Sequence, residues 1–401
     1  MWRSVQLVCA TSLSALACFG QEAGYRSVSF ANTTGQGSAT LSARAYYPAT
    51  VAGANAPMVA PPAGGYPVIV FLHGFTQLGS SYSRLGSYLS RRGYVVVLNN
   101  TGQFSATLQA SDGKAYYSAL VAANAQAGGF FAGALDMSRA GLSGHSAGGS
   151  NTVQALADNP GYRCGCVFAP VNPGAAVTAQ VDVPLSVIQG EGDLITPWGL
   201  SGLPVYSAAT GVTGLRTFYR LDFSGGHNNV AGLFVLTATD QEVWAASRRV
   251  MRGFFDFYLD VDGAGLDAAI GDRARAEPRL SELSLSLEAP TLWTAGEPAI
   301  GQVVNAHVAS ESLFVVLALA GALQPPIPTP LGALELVPST LLASLTQPVT
   351  AARYSTTPIA VPADPTLVGA DLALQGIGFG TGTATGLGLE LSGAALLTVQ
   401  L

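Results

Sequence analysis

The pentapeptide Gly144-His145-Ser146-Ala147-Gly148 constrains this chain more than any other stretch. The run before it, Ser138-Arg139-Ala140-Gly141-Leu142-Ser143, reads as a short buried strand. The run after it, Gly149-Ser150-Asn151-Thr152-Val153-Gln154-Ala155-Leu156-Ala157, reads as a helix. A serine between glycines at a strand-to-helix corner sits on a strained, tightly packed turn. Its hydroxyl then projects above the sheet, at the helix N-terminus. The spacing predicts a nucleophile elbow with Ser146 at its tip.

Other parts of such a machine follow in order. Tyr66-Pro67-Val68-Ile69-Val70-Phe71-Leu72 is continuously apolar, as expected of a strand buried on both faces. It ends in His73-Gly74-Phe75-Thr76, a glycine turn able to aim a backbone N–H at a developing oxyanion. Val183-Pro184-Leu185-Ser186-Val187-Ile188 ends in Gly190-Glu191-Gly192-Asp193, and Leu215 to Leu221 leads to Ser224-Gly225-Gly226-His227. Chain order is Ser146, Asp193, His227, the order of α/β-hydrolases. The expected fold is α/β, a mostly parallel sheet flanked by helices.

Four histidines narrow the choice of base. His73 lies in the glycine turn. His145 adjoins the serine, so its side chain is expected to point elsewhere, and His307 falls in a different region. His227 remains as general base, set against the plainer reading of a structural histidine after a strand. Asp193, in a loop after a strand, is the candidate acid that fixes the imidazole tautomer. Glu191 and Asp222 are the alternatives, read as solvated loop carboxylates.

Residues about 24–262 resemble the α/β-hydrolases that include cutinase-like polyester hydrolases, poly(ethylene terephthalate) hydrolases among them. Chlorophyllases and platelet-activating-factor acetylhydrolases are similar more distantly. The likeness is carried by Ala45-Tyr46-Tyr47-Pro48, His73-Gly74-Phe75-Thr76, Ser80-Ser81-Tyr82, Leu85-Gly86-Ser87-Tyr88-Leu89 and Arg92-Gly93-Tyr94-Val95-Val96-Val97. It is carried also by Gly144-His145-Ser146-Ala147-Gly148-Gly149 and Asp193-Leu194-Ile195-Thr196-Pro197. The resemblance implies Ser146 as nucleophile, Asp193 as acid and His227 as base, with the N–H groups of Phe75 and Ala147 forming the oxyanion hole. Many polyester hydrolases carry a tryptophan where this chain has Val171-Asn172-Pro173. Phe75 and Trp198 are the candidate substrate-binding aromatics, and Trp198 reads equally as a half-buried structural residue. Gly128-Gly129-Phe130-Phe131-Ala132-Gly133 reads either as a small cap over the site or as a loop leading to the next helix.

A chain of 401 residues is expected to form two domains. Residues 21–284 are assigned to the catalytic domain. Val243, Trp244, Ala246, Val250, Phe254 and Tyr258 recur at helical spacing and predict a long amphipathic helix over 240–259. Asp260 to Gly265 reads as a solvated turn, and Ala276 to Ser286 as an exposed linker. From residue 285 to 401 charges become sparse, and prolines and glycines punctuate short apolar runs such as 313–319 and 386–391, which predicts an all-β sandwich-like domain. Ile359 to Gly369 resembles C-terminal β modules on secreted bacterial hydrolases. His307 reads there as a structural strand residue.

Residues 1–20 read as a signal peptide: Arg3, then an apolar stretch from Val5 to Phe19, with Ala15-Leu16-Ala17 as a cleavage site and a cut after Gly20 as the second possibility. The expected location is secreted, periplasmic or cell-surface, with a lipoprotein anchored through Cys18 as the alternative. No transmembrane segment is expected in the mature chain. Cys164 and Cys166, one residue apart in a strand, share a face and read as buried thiols rather than a disulfide or metal pair. No metal or cofactor is expected. The net charge is −6, and no basic patch exists to neutralise phosphates, so no nucleic-acid partner is expected. Oligomeric state stays open. The expected function is a secreted serine carboxylic-ester hydrolase working through an acyl-enzyme on small or polymeric esters, polyester or cutin-like ones included. A lipase, thioesterase or peptidase on the same fold is the first alternative; a non-catalytic surface-binding protein is the second.

Overall fold

A computed structural model describes residues 21–260, 263–287, 290–350, 353–380 and 389–401. The expected signal peptide and Cys18 lie outside them, as do Val261 and Asp262 of the expected turn and 386–388 of one expected strand. The described residues divide into two compact units, 21–260 with 275–283, and 263–274 with 284–401.

The first unit is built on a ten-stranded sheet. Its strands are β1 (Glu22–Ala31), β2 (Thr40–Ala49), β3 (Gly53–Ala54), β4 (Tyr66–Leu72), β5 (Val95–Asn99), β6 (Leu135–His145), β7 (Cys164–Phe168), β8 (Leu185–Gly190), β9 (Leu215–Leu221) and β10 (Leu280–Leu287). Their order across the sheet is β10-β9-β8-β7-β6-β4-β5-β2-β1-β3. From β5 through β4, β6, β7 and β8 to β9, every neighbouring pair is parallel, and β2 joins β5 antiparallel.

The parallel strands are covered on both faces, which is why their sequences run apolar without alternation. Val68, Val70 and Leu72 of β4 belong to a core shared with helices α2 (Ala106–Ala125), α3 (Ala147–Ala157) and α5 (Gly202–Ala208), and the short α4 (Ala175–Thr178) packs on α3 and α5. The residues between them, Ile69 and Phe71, are equally buried and point the other way by the pleat. There α1 (Ser83–Ser90) packs on β2 and β5, and α6 (Ala238–Phe255) packs on β7, β8 and β9. Helix α6 opens on a capping box, with the Thr237 and Asp240 side chains each accepting the other's backbone N–H. It continues the amphipathic pattern expected for 240–259 and ends in a π-helical turn over Asp256–Asp260.

Gly128 to Gly133 connects α2 to β6. Phe131 stacks on Phe30 at 6.2 Å, and Phe130 meets Tyr47 at 4.9 Å. The segment is a loop nailed to β1 and β2 by its own aromatics, not a cap. The expected linker is also different: Leu280–Leu287 is a strand flanking β9, and Arg279 before it bridges Asp222 and Glu242. Cys164 and Cys166 are buried free thiols whose pKa burial pushes up.

The second unit holds a three-stranded sheet, Thr291–Ala295, Val303–Ala309 and Tyr354–Ala360, and a four-stranded sheet, Leu341–Pro348, Phe314–Ala320, Asp371–Phe379 and Leu389–Thr398. One apolar core takes Leu292, Val304, Ala306 and Val308 from the first and Val315, Leu317, Leu374 and Leu397 from the second. That is a β-sandwich core. Residues 263–274, expected with the catalytic region, group here instead. The helix Gly263–Ala269 lies against Thr291–Ala295, and Tyr354 donates its hydroxyl to Asp272 at 3.0 Å. His307 is buried in its strand, stacked between Trp293 and Tyr354. Among the described residues no helix is long and apolar enough to cross a membrane.

Candidate active site

Ser146 stands at the corner between β6 and α3 with φ 57° and ψ −121°. A non-glycine residue there carries strain of roughly 1–3 kcal/mol. The surroundings hold it: its N–H donates to the Phe168 carbonyl at 3.0 Å, and its carbonyl accepts from Ser150 and Val171 at 3.1 Å. The flanking glycines are required by contact. A Cβ at Gly144 would lie 2.3 Å from the Gly148 carbonyl oxygen, and one at Gly148 would lie 2.2 Å from the Leu72 carbonyl oxygen.

The loops after β8 and β9 bring two further groups to this corner. His227 Nε2 lies 2.9 Å from Ser146 Oγ, and His227 Nδ1 lies 2.9 Å from Asp193 Oδ2. The two loops are stitched together by backbone hydrogen bonds, Glu191 N–H to Leu221 and Gly192 N–H to Gly225. Gly226 N–H donates to Asn229, whose amide donates to Asp240 in the first turn of α6. Ser146 is 9% exposed and Asp193 2%, so the array is largely shielded from water.

Asp193 is heavily solvated by protein. Its Oδ1 accepts the N–H groups of Ile195 and Thr196, and its Oδ2 accepts from Gln189 Nε2 and Thr196 Oγ1 besides His227. Burial pushes its pKa up, but the hydrogen bonds from His227 and Thr196 outweigh burial and leave it below the usual carboxylate value. The alternatives are engaged elsewhere: Asp222 pairs with Arg279, and Glu191 makes no side-chain link to His227 among the described hydrogen bonds.

His145 does not point away from the site, contrary to expectation. Its strand ends beneath His227, so its ring lies 4.7 Å from the His227 ring, and its Nε2 meets the His227 carbonyl at 2.8 Å. Burial, and after it the charge of a protonated His227, push its pKa down to about 3. His73 is also buried, held by the Thr101 carbonyl and Gln109, and burial lowers its pKa.

Ala147 is the first residue of α3, so its N–H has no acceptor within the helix. The Phe75 N–H has no protein partner among the described residues. Phe75 itself is 59% exposed and meets Phe104 edge-to-face at 6.2 Å. Trp198 is half-buried. It packs on the main core, and the Arg220 guanidinium sits 4.2 Å over its ring. Among the described residues no group of three or more His, Cys, Asp or Glu side chains is placed to hold a metal ion.

Sequence reasoning missed Thr196, Gln189, Tyr82 and Phe104. Thr196 carried a signal, an Asp-x-x-Thr spacing that lets the hydroxyl and N–H fold back on the carboxylate. Tyr82 carried none, because its side-chain partner His145 is 63 residues away, and Gln189, four residues before Asp193, is brought to it only by the turn after β8.

A curated bis(hydroxyethyl) terephthalate hydrolase of Streptomyces coelicolor is 30% identical over 183 residues, covering 45% of this chain. The chain spans about half the length, 53%, of that relative. The family model described as PET hydrolase-like matches residues 15–225, more than half of the 401. With the ten-stranded α/β sheet and the serine corner in their places, the chain belongs to the PET hydrolase-like family.

Proposed function

We propose that this protein is a serine carboxylic-ester hydrolase in which Ser146 is the nucleophile, His227 the general base and Asp193 the orienting acid. The observation that carries the reading is the continuous contact Ser146 Oγ, His227 and Asp193, at 2.9 Å on each side of the imidazole, seated on a strained serine. A serine hydroxyl is a weak nucleophile until a base takes its proton. His227 Nε2 accepts that proton as Oγ bonds the ester carbonyl carbon, and the carbonyl π electrons move to its oxygen. The N–H groups of Phe75 and Ala147 are the donors for that oxyanion. Collapse re-forms the carbonyl and breaks the carbon–alkoxy bond, and the alcohol leaves with the proton from His227. Water, deprotonated by the same nitrogen, then cleaves the acyl-enzyme. Asp193 holds Nδ1–H throughout and stabilises the imidazolium.

The family description and the terephthalate ester in the relative's name support an aromatic or polyester substrate. So does the exposed pair Phe75 and Phe104 beside the proposed oxyanion donor, a surface that suits an apolar acyl or alkyl group. The test is Ser146→Ala with p-nitrophenyl butyrate and bis(hydroxyethyl) terephthalate as substrates, and a fluorophosphonate probe on the wild type. The expected result is a loss of at least about 10³-fold in kcat with the fold retained. Activity within tenfold of wild type would sink the assignment.

A further inference from the structure

We infer that Tyr82 and His145 form a positioning relay, with Tyr82 fixing the tautomer through which His145 anchors the backbone of His227. The inference rests on the ester-hydrolase reading above. It starts from the polarity of each hydrogen bond. The His227 carbonyl can only accept, so the His145 Nε2 facing it at 2.8 Å carries the proton. In the neutral ring Nδ1 then has none, and it accepts from the Tyr82 hydroxyl at 2.9 Å. The Tyr82 oxygen in turn accepts the Gly74 N–H at 2.8 Å. One chain of bonds thus runs from the turn after β4, next to Phe75, to the backbone of the base.

The setting keeps this chain intact. Tyr82 is fully buried and His145 2% exposed, and Tyr82 packs on Phe71 at 4.6 Å. The charged groups that act on His145 are His227 and Asp193. Burial keeps His145 neutral, so it takes no part in proton transfer to the substrate. With the other tautomer, the Nε2 lone pair would face the His227 carbonyl and push its backbone away. The His227 ring would then lose its contact with Ser146 Oγ. Neither Tyr82 nor His145 touches the reacting atoms; both act through His227 and Gly74.

The test compares p-nitrophenyl butyrate hydrolysis by the wild-type chain, Tyr82→Phe, His145→Leu and His145→Gln. In addition, ¹⁵N-histidine long-range correlation spectra are recorded on the wild type. Tyr82→Phe is expected to lower kcat by about 10- to 100-fold with KM within about twofold, the size of effect a small misplacement of a catalytic group produces. His145→Leu should match it. His145→Gln, which keeps one donor and one acceptor, should recover most of kcat. The spectra should show His145 as the Nε2–H tautomer, a result that does not depend on any variant folding. A wild-type His145 protonated on Nδ1 overturns the relay, as does a folded Tyr82→Phe with kcat within twofold of wild type. A wild type that neither hydrolyses the ester nor reacts with fluorophosphonate overturns the ester-hydrolase reading and the relay with it.

Discussion

Thr196 folds back on Asp193 with both its backbone N–H, 2.9 Å from Oδ1, and its hydroxyl, 2.8 Å from Oδ2. The same hydroxyl lies 3.1 Å from His227 Nδ1 and 3.1 Å from the Ala169 carbonyl. Thr196→Val keeps the N–H and removes the hydroxyl. The Asp193 pKa is depressed in the folded state, burial opposing and hydrogen bonds prevailing. A depressed carboxylate contributes stability above its unfolded pKa, about 3.9, and loses it as pH falls through the folded value. Thr196→Val should therefore cost on the order of 1–3 kcal/mol at neutral pH, and the deficit should shrink below about pH 4. Melting curves at the two pH values check this. An equal deficit at both would mean that the hydroxyl acts by packing and not on the carboxylate.

The choice of acid is tested by three substitutions. Asp193→Asn replaces an acceptor with an amide, so His227 Nδ1–H loses its charged partner and the ring turns to the wrong tautomer. The expected loss in kcat is on the order of 10³-fold or more with KM little changed. Glu191→Gln and Asp222→Asn should stay near wild type, since neither carboxylate is bonded to His227. Steady-state kinetics on p-nitrophenyl butyrate distinguish the three. A crippled Glu191→Gln beside an active Asp193→Asn would reverse the assignment.

Much of this site was legible in the chain because its constraints are local. Ser146, Asp193 and His227 each follow a run that reads as a strand, continuously apolar before Asp193 and mixed with polar residues at 138–143 and 215–221. Gly144 and Gly148 mark a corner that no side chain fits. What stayed hidden depends on three-dimensional neighbours. His145 was expected to turn away because it adjoins the serine. Residues at a strand's end diverge only until the next loop folds over them, and the His227 loop does so. β10 read as a linker because Arg279, Glu277 and Glu282 look like solvent-facing charges. Each has an ionic partner on the first unit, Asp222, Arg249 and Arg220 respectively. The sandwich was visible in its punctuation, but the placement of 263–274 with it was not, since Tyr354 and Asp272 are 82 residues apart.

Gly148 tests the packing of the corner apart from its chemistry. An added Cβ would meet the carbonyl oxygens of Leu72 and His73 at 2.2 and 2.4 Å. Both are backbone atoms of β4 and its turn, so neither can rotate aside. Gly148→Ala should destabilise by about 3 kcal/mol or more, at the upper end of overpacking costs. Gly199→Ala is the control, because no atom lies within 4 Å of its would-be Cβ. Urea denaturation of the two variants gives the comparison. A Gly148→Ala variant as stable as Gly199→Ala would mean that the turn after β4 yields, and the Phe75 N–H proposed as an oxyanion donor would not be rigidly held.

The final expectation concerns where the chain can be cut. Ser146, Asp193 and His227 all precede residue 260, and every group bonded to them does too. The proposed activity is therefore expected to need nothing from the sandwich strands. Stability of the first unit is expected to need residues 275–283, which bring Arg279 to Asp222 and Glu242, Glu277 to Arg249, and β10 to β9. A chain of residues 21–287 should hydrolyse p-nitrophenyl butyrate at a rate close to that of the full chain. A chain of residues 21–260 should melt lower, because it exposes β9 as a bare edge and leaves Asp222 and Arg249 without these ionic partners. Surface ion pairs contribute little singly, so most of the loss should come from the missing strand. Kinetics and melting curves for the two shortened chains and the full one make the comparison. If 21–287 folds but is inactive, the sandwich completes the site. If 21–260 melts with 21–287, β10 is an appendage of the first unit and not part of its framework.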